Sequence, residues 1–220
     1  GCVIKLKNHI TFKINMMCII CRTKDIKDLE GLEELDCSGC HKITTIPHIK
    51  GLEKLDCSGC LNLIIIPHIK GLKNLNCSNC PNITVIPHIK RLKKLDCSYC
   101  YGLTVIPNIK GLKELECSYC FKLKVIPNIK GLKILWCCDT NIITLPHIKG
   151  LKELDCSYCS NIITLPYIKG LQIIDCSNCS NITFIPHIKE LNEIDCSYCY
   201  FLLIIPKKRL ECLNCSECPK

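Results

Sequence analysis

Paired cysteines are the residues with the clearest chemical potential in this chain. The sequence holds 24 cysteines, and most of them fall in Cys-x-x-Cys pairs that recur about every twenty residues. Cys37/Cys40 and Cys57/Cys60 are separated by sixteen residues, a spacing that fits a four-cysteine zinc site. The same side chains could instead be buried thiols, or partners in disulfide bonds.

Three observations favour buried thiols over zinc ligands. The pair recurs from unit to unit, whereas a zinc site would take two units at a time. In one unit Thr140 stands where the second cysteine is expected, and threonine is not a usual zinc ligand. Leucines at fixed positions explain the period without a metal. We therefore expect free thiols, no metal and no cofactor, and such rows of thiols favour a reducing, cytoplasmic compartment.

Histidines form a second recurrent series, because they follow a proline in many units: His48, His68, His88, His147 and His187. The series is interrupted by Asn108, Asn128 and Tyr167, so a turn position that tolerates polar side chains explains it better than a metal site or a pH switch. The sequence contains no glycine-rich phosphate loop and no nucleophile motif, and its Ser, His and Asp residues belong to repeated positions. We therefore predict that the protein is not an enzyme.

The unit that positions these side chains is about twenty residues long. From Gly71 to Lys90 it reads GLKNLNCSNCPNITVIPHIK, in which Leu75 and Cys77 lie two apart between polar residues, as in a short strand with one buried face. Pro87 resists a helix in the rest of the unit. Because one unit cannot bury its apolar face alone, we predict a β-rich repeat solenoid. Its parallel sheet would form the concave face, its convex face would hold extended, turn or short 3-10 segments, and its repeats would contain little or no α-helix.

Three segments are expected along the chain. Residues 1–30 are interpreted as a degenerate N-terminal capping segment, in which Cys18 to Cys21 echoes the motif. Residues 31–208 hold about nine units of 19–20 residues, and residues 209–220 form a partial terminal repeat.

The segment LxxLxCxxCxxL resembles the defining segment of leucine-rich repeats, in the variant that carries cysteine where many members carry asparagine. The combination IPxIKGLKxLxCSxC is also similar to repeat proteins of giant amoeba-infecting viruses. The resemblance implies protein binding through the concave face, and the host cytoplasm as the location of a viral member. Such arrays also serve as recognition parts of ubiquitin-ligase adaptors, although no F-box is discernible in residues 1–30.

The strand positions that face outward would form three columns on the concave face. The middle column is mostly acidic: Asp36, Asp56, Asn76, Asp96, Glu116, Trp136, Asp155, Asp175 and Asp195. The third column is mostly serine, from Ser38 to Ser197, and the first is mixed. Lysines form a separate column just before each strand: Lys50, Lys70, Lys90, Lys110, Lys130, Lys149, Lys169 and Lys189. The concave face is thus expected to be acidic although the net charge of the chain is +9.

One unit interrupts all three columns, because Ile134, Trp136 and Cys138 replace the charged, acidic and serine residues. Trp136 is the only tryptophan, and a large aromatic side chain near the centre of a surface often dominates binding. The predicted binding residues are Ile134, Trp136, Cys138, Asp96, Glu116, Asp155, Asp175, Ile173, Tyr99, Tyr119 and Tyr158.

The sequence favours a non-enzymatic, monomeric scaffold that binds a protein partner. No membrane partner is expected, because the apolar run from Tyr200 to Ile205 is too short to span a bilayer. The scarcity of arginine disfavours a nucleic-acid partner, since arginine makes the commonest base-specific contacts. Two alternatives remain open. One is a zinc- or nucleic-acid-binding array that uses the cysteine pairs or the lysine column, and the other is the recognition part of a ubiquitin-ligase adaptor.

Overall fold

Ten short parallel strands, stacked one after another along the chain, define the architecture. The computed structural model describes residues 2–6, 11–14, 19–22, 29–204 and 210–219. Its elements are β1 (Cys2–Leu6), β2 (Thr11–Ile14), α1 (Ile19–Arg22), β3 (Leu32–Asp36), β4 (Lys54–Asp56), β5 (Asn74–Asn76), β6 (Lys94–Asp96), β7 (Glu114–Glu116), β8 (Ile134–Trp136), β9 (Glu153–Asp155), β10 (Ile173–Asp175), β11 (Glu193–Asp195) and β12 (Cys212–Asn214). Strands β3 to β12 follow one another in the sheet in chain order. The predicted β-rich repeat solenoid is confirmed, and its described repeats contain no α-helix.

Each strand pairs with the next one in the same register, so equivalent residues lie side by side. Leu55 pairs with Leu75, and Leu75 with Leu95. The unit that is one residue short keeps this register, because Leu135 pairs with Leu154. The missing residue is therefore absorbed outside the strand. We call each strand with the segment that follows it a rung, and the part of the rung after the second cysteine its return segment.

A single aliphatic core runs through the rungs. In the unit of β5, the leucines Leu72 and Leu75 and the thiols of Cys77 and Cys80 are 0–2% exposed. The isoleucines of the return segments complete the same cluster. Burial of one such side chain contributes about 1.5–3 kcal/mol, and the contribution repeats at every rung, so the stack is stable although no single rung would be.

Return segments also join the rungs, but less regularly than the strands do. The Thr104 N–H donates to the Thr84 carbonyl over 3.0 Å, and Val85 forms an isolated parallel bridge with Val105. The isolated bridges join alternate pairs of rungs over much of the described array, whereas the strands pair at every step from β3 to β12. The sheet is therefore the more regularly hydrogen-bonded side of the solenoid.

The N-terminal end of the sheet is antiparallel, unlike the rest of the sheet. Strand β1 pairs antiparallel with β3 and with β2, so a hairpin lies against the first rung, within the segment predicted to be a cap. Part of the segment from Cys18 to Cys21, where the sequence echoes the motif, lies in α1, and Cys18 itself lies outside the described residues. The predicted boundary between residues 208 and 209 also lies outside them.

Within the described part of the chain, no helix is both long and apolar enough to cross a membrane.

Candidate binding surface on the sheet

The paired cysteines act as rung-to-rung connectors in the core. The Cys80 thiol donates to the Cys57 carbonyl of the preceding rung at 3.2 Å, and the Cys77 thiol donates to the Asp96 carbonyl of the next rung at 3.4 Å. A hydrogen bond with Cys100, together with burial, raises the pKa of Cys77 well above its ordinary value. In the described residues no three His, Cys, Asp or Glu side chains are placed to hold a metal ion. These thiols therefore bond neighbouring rungs to one another within the core.

Thr140, which replaces a second cysteine, keeps a hydrogen bond at the same point of its rung. Its hydroxyl donates to the Cys137 carbonyl at 2.9 Å and lies 3.2 Å from the Cys159 sulfur. Hydrogen bonds from Cys137 and Thr140 lower the pKa of Cys159 to about 7. The Cys159 side chain is nevertheless 0% exposed, so no reagent reaches it in the native state.

The acidic column has a local structural role that the sequence analysis missed. The Asp96 Oδ1 accepts a hydrogen bond from the Ser98 N–H at 3.0 Å and another from the Ser98 hydroxyl at 2.7 Å. Asn76 makes the same two bonds with Ser78 through its amide oxygen. The recurrent Asp-x-Ser spacing was the available signal, because Asp and Asn side chains commonly bond the backbone two residues on. Asparagine can therefore replace aspartate in this column without loss of the turn.

The pKa values of Asp175 and Asp195, two carboxylates of this column, are displaced in opposite directions. Burial, followed by the neighbouring charges of Asp155 and Asp195, raises the pKa of Asp175 despite hydrogen bonds from Ser177. Burial also acts to raise the pKa of Asp195, but hydrogen bonds from Ser197 and Asn214 outweigh it, and that pKa is lowered.

A groove of about 510 Å³ runs along the sheet between the first and middle columns. Its floor is formed at strands β3 to β6, and Trp136 stands at one end. Six carboxylates and two lysines line it: Glu34, Asp36, Asp56, Asp96, Glu114, Glu116, Lys54 and Lys94. The lysines form ion pairs within the first column, Lys54 with Glu34 at 3.0 Å and Lys94 with Glu114 at 2.7 Å. The middle column therefore carries most of the uncompensated negative charge of the groove.

Trp136 is half-buried and held in place rather than fully exposed. Its indole N–H donates to the Glu153 carboxylate at 2.7 Å, across to strand β9. In the sheet it pairs with Glu116 on one side and Asp155 on the other. The predicted residues Ile134, Cys138, Glu116 and Asp155 thus surround it, Asp96 lies two strands away in the groove wall, and Ile173 and Asp175 lie two strands away on the other side.

The predicted tyrosines lie at the edge of the sheet face. Tyr99 and Tyr119 stack with ring centroids 4.3 Å apart, while Tyr158 is 56% exposed two rungs beyond Tyr119. The neighbouring Cys138 thiol raises the pKa of Tyr119 to about 12. This edge therefore interacts with the unit that contains Trp136. All three tyrosines have a φ of 57–61°, a backbone conformation that bulky residues rarely adopt.

A second aromatic pair, missed in the sequence, extends the tyrosine edge. Tyr101 and Phe121 stack with centroids 5.5 Å apart, and Tyr101 lies edge-on to Tyr99 at 6.4 Å. Their spacing of twenty residues was the available signal. The edge therefore carries four associated rings.

Comparisons with known proteins add nothing to this geometry: no family model matches the chain, and no curated protein and no solved structure matches it.

The connecting role of the thiols predicts their reactivity. A denatured, unreduced sample should titrate close to all 24 cysteines with a thiol reagent, and metal analysis should find no stoichiometric zinc. Among the described cysteines, the native protein should react fastest at the exposed Cys212 and Cys215, because the thiols of the core are inaccessible to the reagent. A titrated count that falls short by an even number of thiols would indicate disulfide bonds and would contradict this account. Several zinc ions per chain would contradict it as well.

The opposite pKa shifts of Asp175 and Asp195 predict opposite effects of the same substitution on stability. Asp175→Asn should raise the denaturation midpoint at neutral pH, because the raised pKa of Asp175 means that its charged form destabilises the fold. Asp195→Asn should lower the midpoint, because the lowered pKa of Asp195 means that its charged form stabilises the fold.

Both differences should shrink as the pH falls, since wild-type Asp175 loses its unfavourable charge when protonated and wild-type Asp195 loses its favourable one. Denaturant unfolding at a series of pH values measures this. Asn76 shows that asparagine is compatible with this column. Shifts of the denaturation midpoint with the same sign in both variants would contradict the assigned directions of the two pKa shifts.

Proposed function

We propose that this protein is a non-enzymatic binding module whose sheet face receives a cationic segment of a protein partner. The observation that carries the proposal is the groove along β3 to β6, lined by the first and middle columns and ended by Trp136. A groove of this kind suits an extended chain better than a compact ligand, because it follows the stacking direction of the rungs over several strands.

The charges of the groove favour lysine or arginine in the partner. Asp56, Asp96 and Glu116 face it from the middle column, and the lysines of the groove are already paired with Glu34 and Glu114. A cationic side chain would meet carboxylates whose orientation is fixed by their turns with serine, so little conformational entropy is lost when it binds. Complementary charge of this kind also accelerates association.

Trp136 is the proposed anchor of the interface. It is half-buried and oriented by the Glu153 carboxylate, so its ring is pre-positioned at the groove end. Tryptophan is enriched among residues that dominate binding energy, and its face also attracts cations. The tyrosine edge beside Cys138 would extend the contact beyond the groove.

The repeats themselves we assign to the leucine-rich type. Support comes from the LxxLxCxxCxxL segment, from the buried Leu and Cys positions that it generates, and from the parallel sheet of β3 to β12. A relation to the repeat proteins of giant amoeba-infecting viruses, and a place in the host cytoplasm, belong to the same proposal. The described cysteines form no disulfide bonds with one another, which fits a reducing compartment.

Arrays of extended peptides test the proposed site directly. Peptides that carry several lysines or arginines should bind, and matched acidic peptides should not. Trp136→Ala should weaken binding at least tenfold, an effect of the size seen for interface anchors. Asp56→Asn combined with Asp96→Asn should also weaken it, while the turns stay intact because Asn76 already makes them.

The matched control is Asp195→Asn, which removes a charge from the same column three strands beyond Trp136 and outside the groove. It should leave peptide affinity unchanged within about twofold, since exposed charges at this distance are screened. Equal affinity of wild type and Trp136→Ala, or equal binding of basic and acidic peptides, would remove the groove as the site.

A further inference from the structure

An exposed apolar strip follows the return segments on the side opposite the sheet. In the rungs of β3 to β10, two consecutive residues point outward just before the buried residue that precedes the proline, and Leu203 and Ile204 hold these two positions in the rung of β11. We call these positions the return ribbon. Its large apolar members are Ile64, Ile65, Val85, Val105, Val125, Ile143, Ile163, Phe184, Leu203 and Ile204, with exposed fractions from 41% for Phe184 to 78% for Leu203.

The positions of the return ribbon lie side by side along the solenoid. Backbone bridges join two apolar members at Val85 with Val105 and at Phe184 with Ile204, and they join an apolar member to a threonine at Thr45 with Ile65, Val125 with Thr144 and Thr164 with Phe184. With rungs about 4.8 Å apart, the strip is roughly 35 Å long. Monomeric proteins rarely expose contiguous apolar patches larger than a few hundred Å², and a strip of this length exceeds what scattered surface residues produce.

The charge around the return ribbon has only one sign. No Asp or Glu occurs in the return segments 41–50, 61–70, 81–90, 101–110, 121–130, 141–149, 160–169 or 180–189. The same segments contain Lys42, Lys50, Lys70, Lys90, Lys110, Lys122, Lys124, Lys130, Lys149, Lys169 and Lys189. The lysine column from Lys50 to Lys189 is exposed throughout. The return segments that carry the apolar strip therefore contribute positive charge and no negative charge.

We propose that the return ribbon and its lysines bind the surface of a bilayer that contains anionic lipids. Aliphatic side chains such as Ile64 and Ile65 enter the boundary between headgroups and acyl chains, and the lysine column lies against the lipid phosphates and carboxylates. This mode of binding needs no spanning segment, so it is compatible with the absence of a membrane-crossing helix in the described residues. The acidic sheet face points away from the membrane and stays open to a protein partner.

Two other occupants fit less well. A nucleic acid would satisfy the lysines but offers nothing to the aliphatic strip. A second copy packed face to face would bury Lys124, which is an exposed member of the return ribbon, where no carboxylate of the return segments could pair with it. A buried unpaired charge is costly, whereas a lysine at a membrane surface extends its amine to the headgroups.

Vesicle co-sedimentation of the full chain tests the proposal. The wild type should bind vesicles of phosphatidylcholine mixed with phosphatidylserine, bind pure phosphatidylcholine roughly tenfold less, and lose binding as salt rises. A ribbon variant combines Ile64→Thr, Ile65→Thr, Val85→Thr and Val105→Thr. A lysine variant combines Lys70→Gln, Lys90→Gln and Lys110→Gln. Each should lower the partition coefficient roughly tenfold or more.

The ribbon variant should fold, because threonine already occupies these positions at Thr84, Thr104, Thr144 and Thr164. Circular dichroism and the denaturation midpoint check this. The sheet-face variant Asp56→Asn with Asp96→Asn is the matched control, and its vesicle binding should not fall.

Three results would overturn the proposal. The first is vesicle binding that the ribbon variant retains in full. The second is absent vesicle binding together with salt-sensitive binding to duplex DNA, which would assign the lysines to nucleic acid. The third is absent vesicle binding together with self-association that the ribbon variant abolishes, which would assign the strip to a second copy.

Discussion

The interaction on which the whole molecule depends is the in-register hydrogen bonding of each strand to the next. Leu75 lies between Leu55 and Leu95, and a slip of one residue would turn the buried Leu and Cys positions outward and the acidic column inward. The nineteen-residue unit respects this constraint, because its shortening falls outside the strands and Leu135 still pairs with Leu154. Register therefore determines the core and both faces at once.

Register also stacks identical side chains, with favourable and unfavourable results. In the core, thiols find carbonyl partners one rung away, and at a corner of the rungs the Asn82 amide donates to the Leu61 carbonyl at 2.8 Å. On the sheet face, Asp175 lies between two other carboxylates, and burial together with their charges raises its pKa. Asparagine at position 214 relieves the neighbouring Asp195. Each column of repeated side chains thus sets the charge and polarity of a whole face, and a single different residue such as Trp136 creates a distinct local site.

The period, the inward positions and the outward columns of the strands were predictable, because an alternation such as Leu75-x-Cys77 has one interpretation in a short strand. The exposure of Ile64 and Ile65 was not, since the run LNLIIIP suggests continuous burial and only the bend of the return segment turns these two outward. The hydrogen bond from Trp136 to Glu153 could not be predicted either, because it depends on side-chain orientation across two strands. The left-handed backbone of Tyr99 did have a signal, in that Gly59 and Asn79 occupy the same position.

Removal of one complete rung tests the register account most directly. Deletion of residues 71–90 joins Lys70 to Arg91 and reproduces the native junction IPHIKRL found at residues 86–92. This shortened chain should keep the circular dichroism spectrum of the wild type and unfold cooperatively at a somewhat lower denaturant concentration. Deletion of residues 81–90 alone should abolish cooperative unfolding, because a strand would then meet a return segment. Equal behaviour of the two deletions would contradict the account.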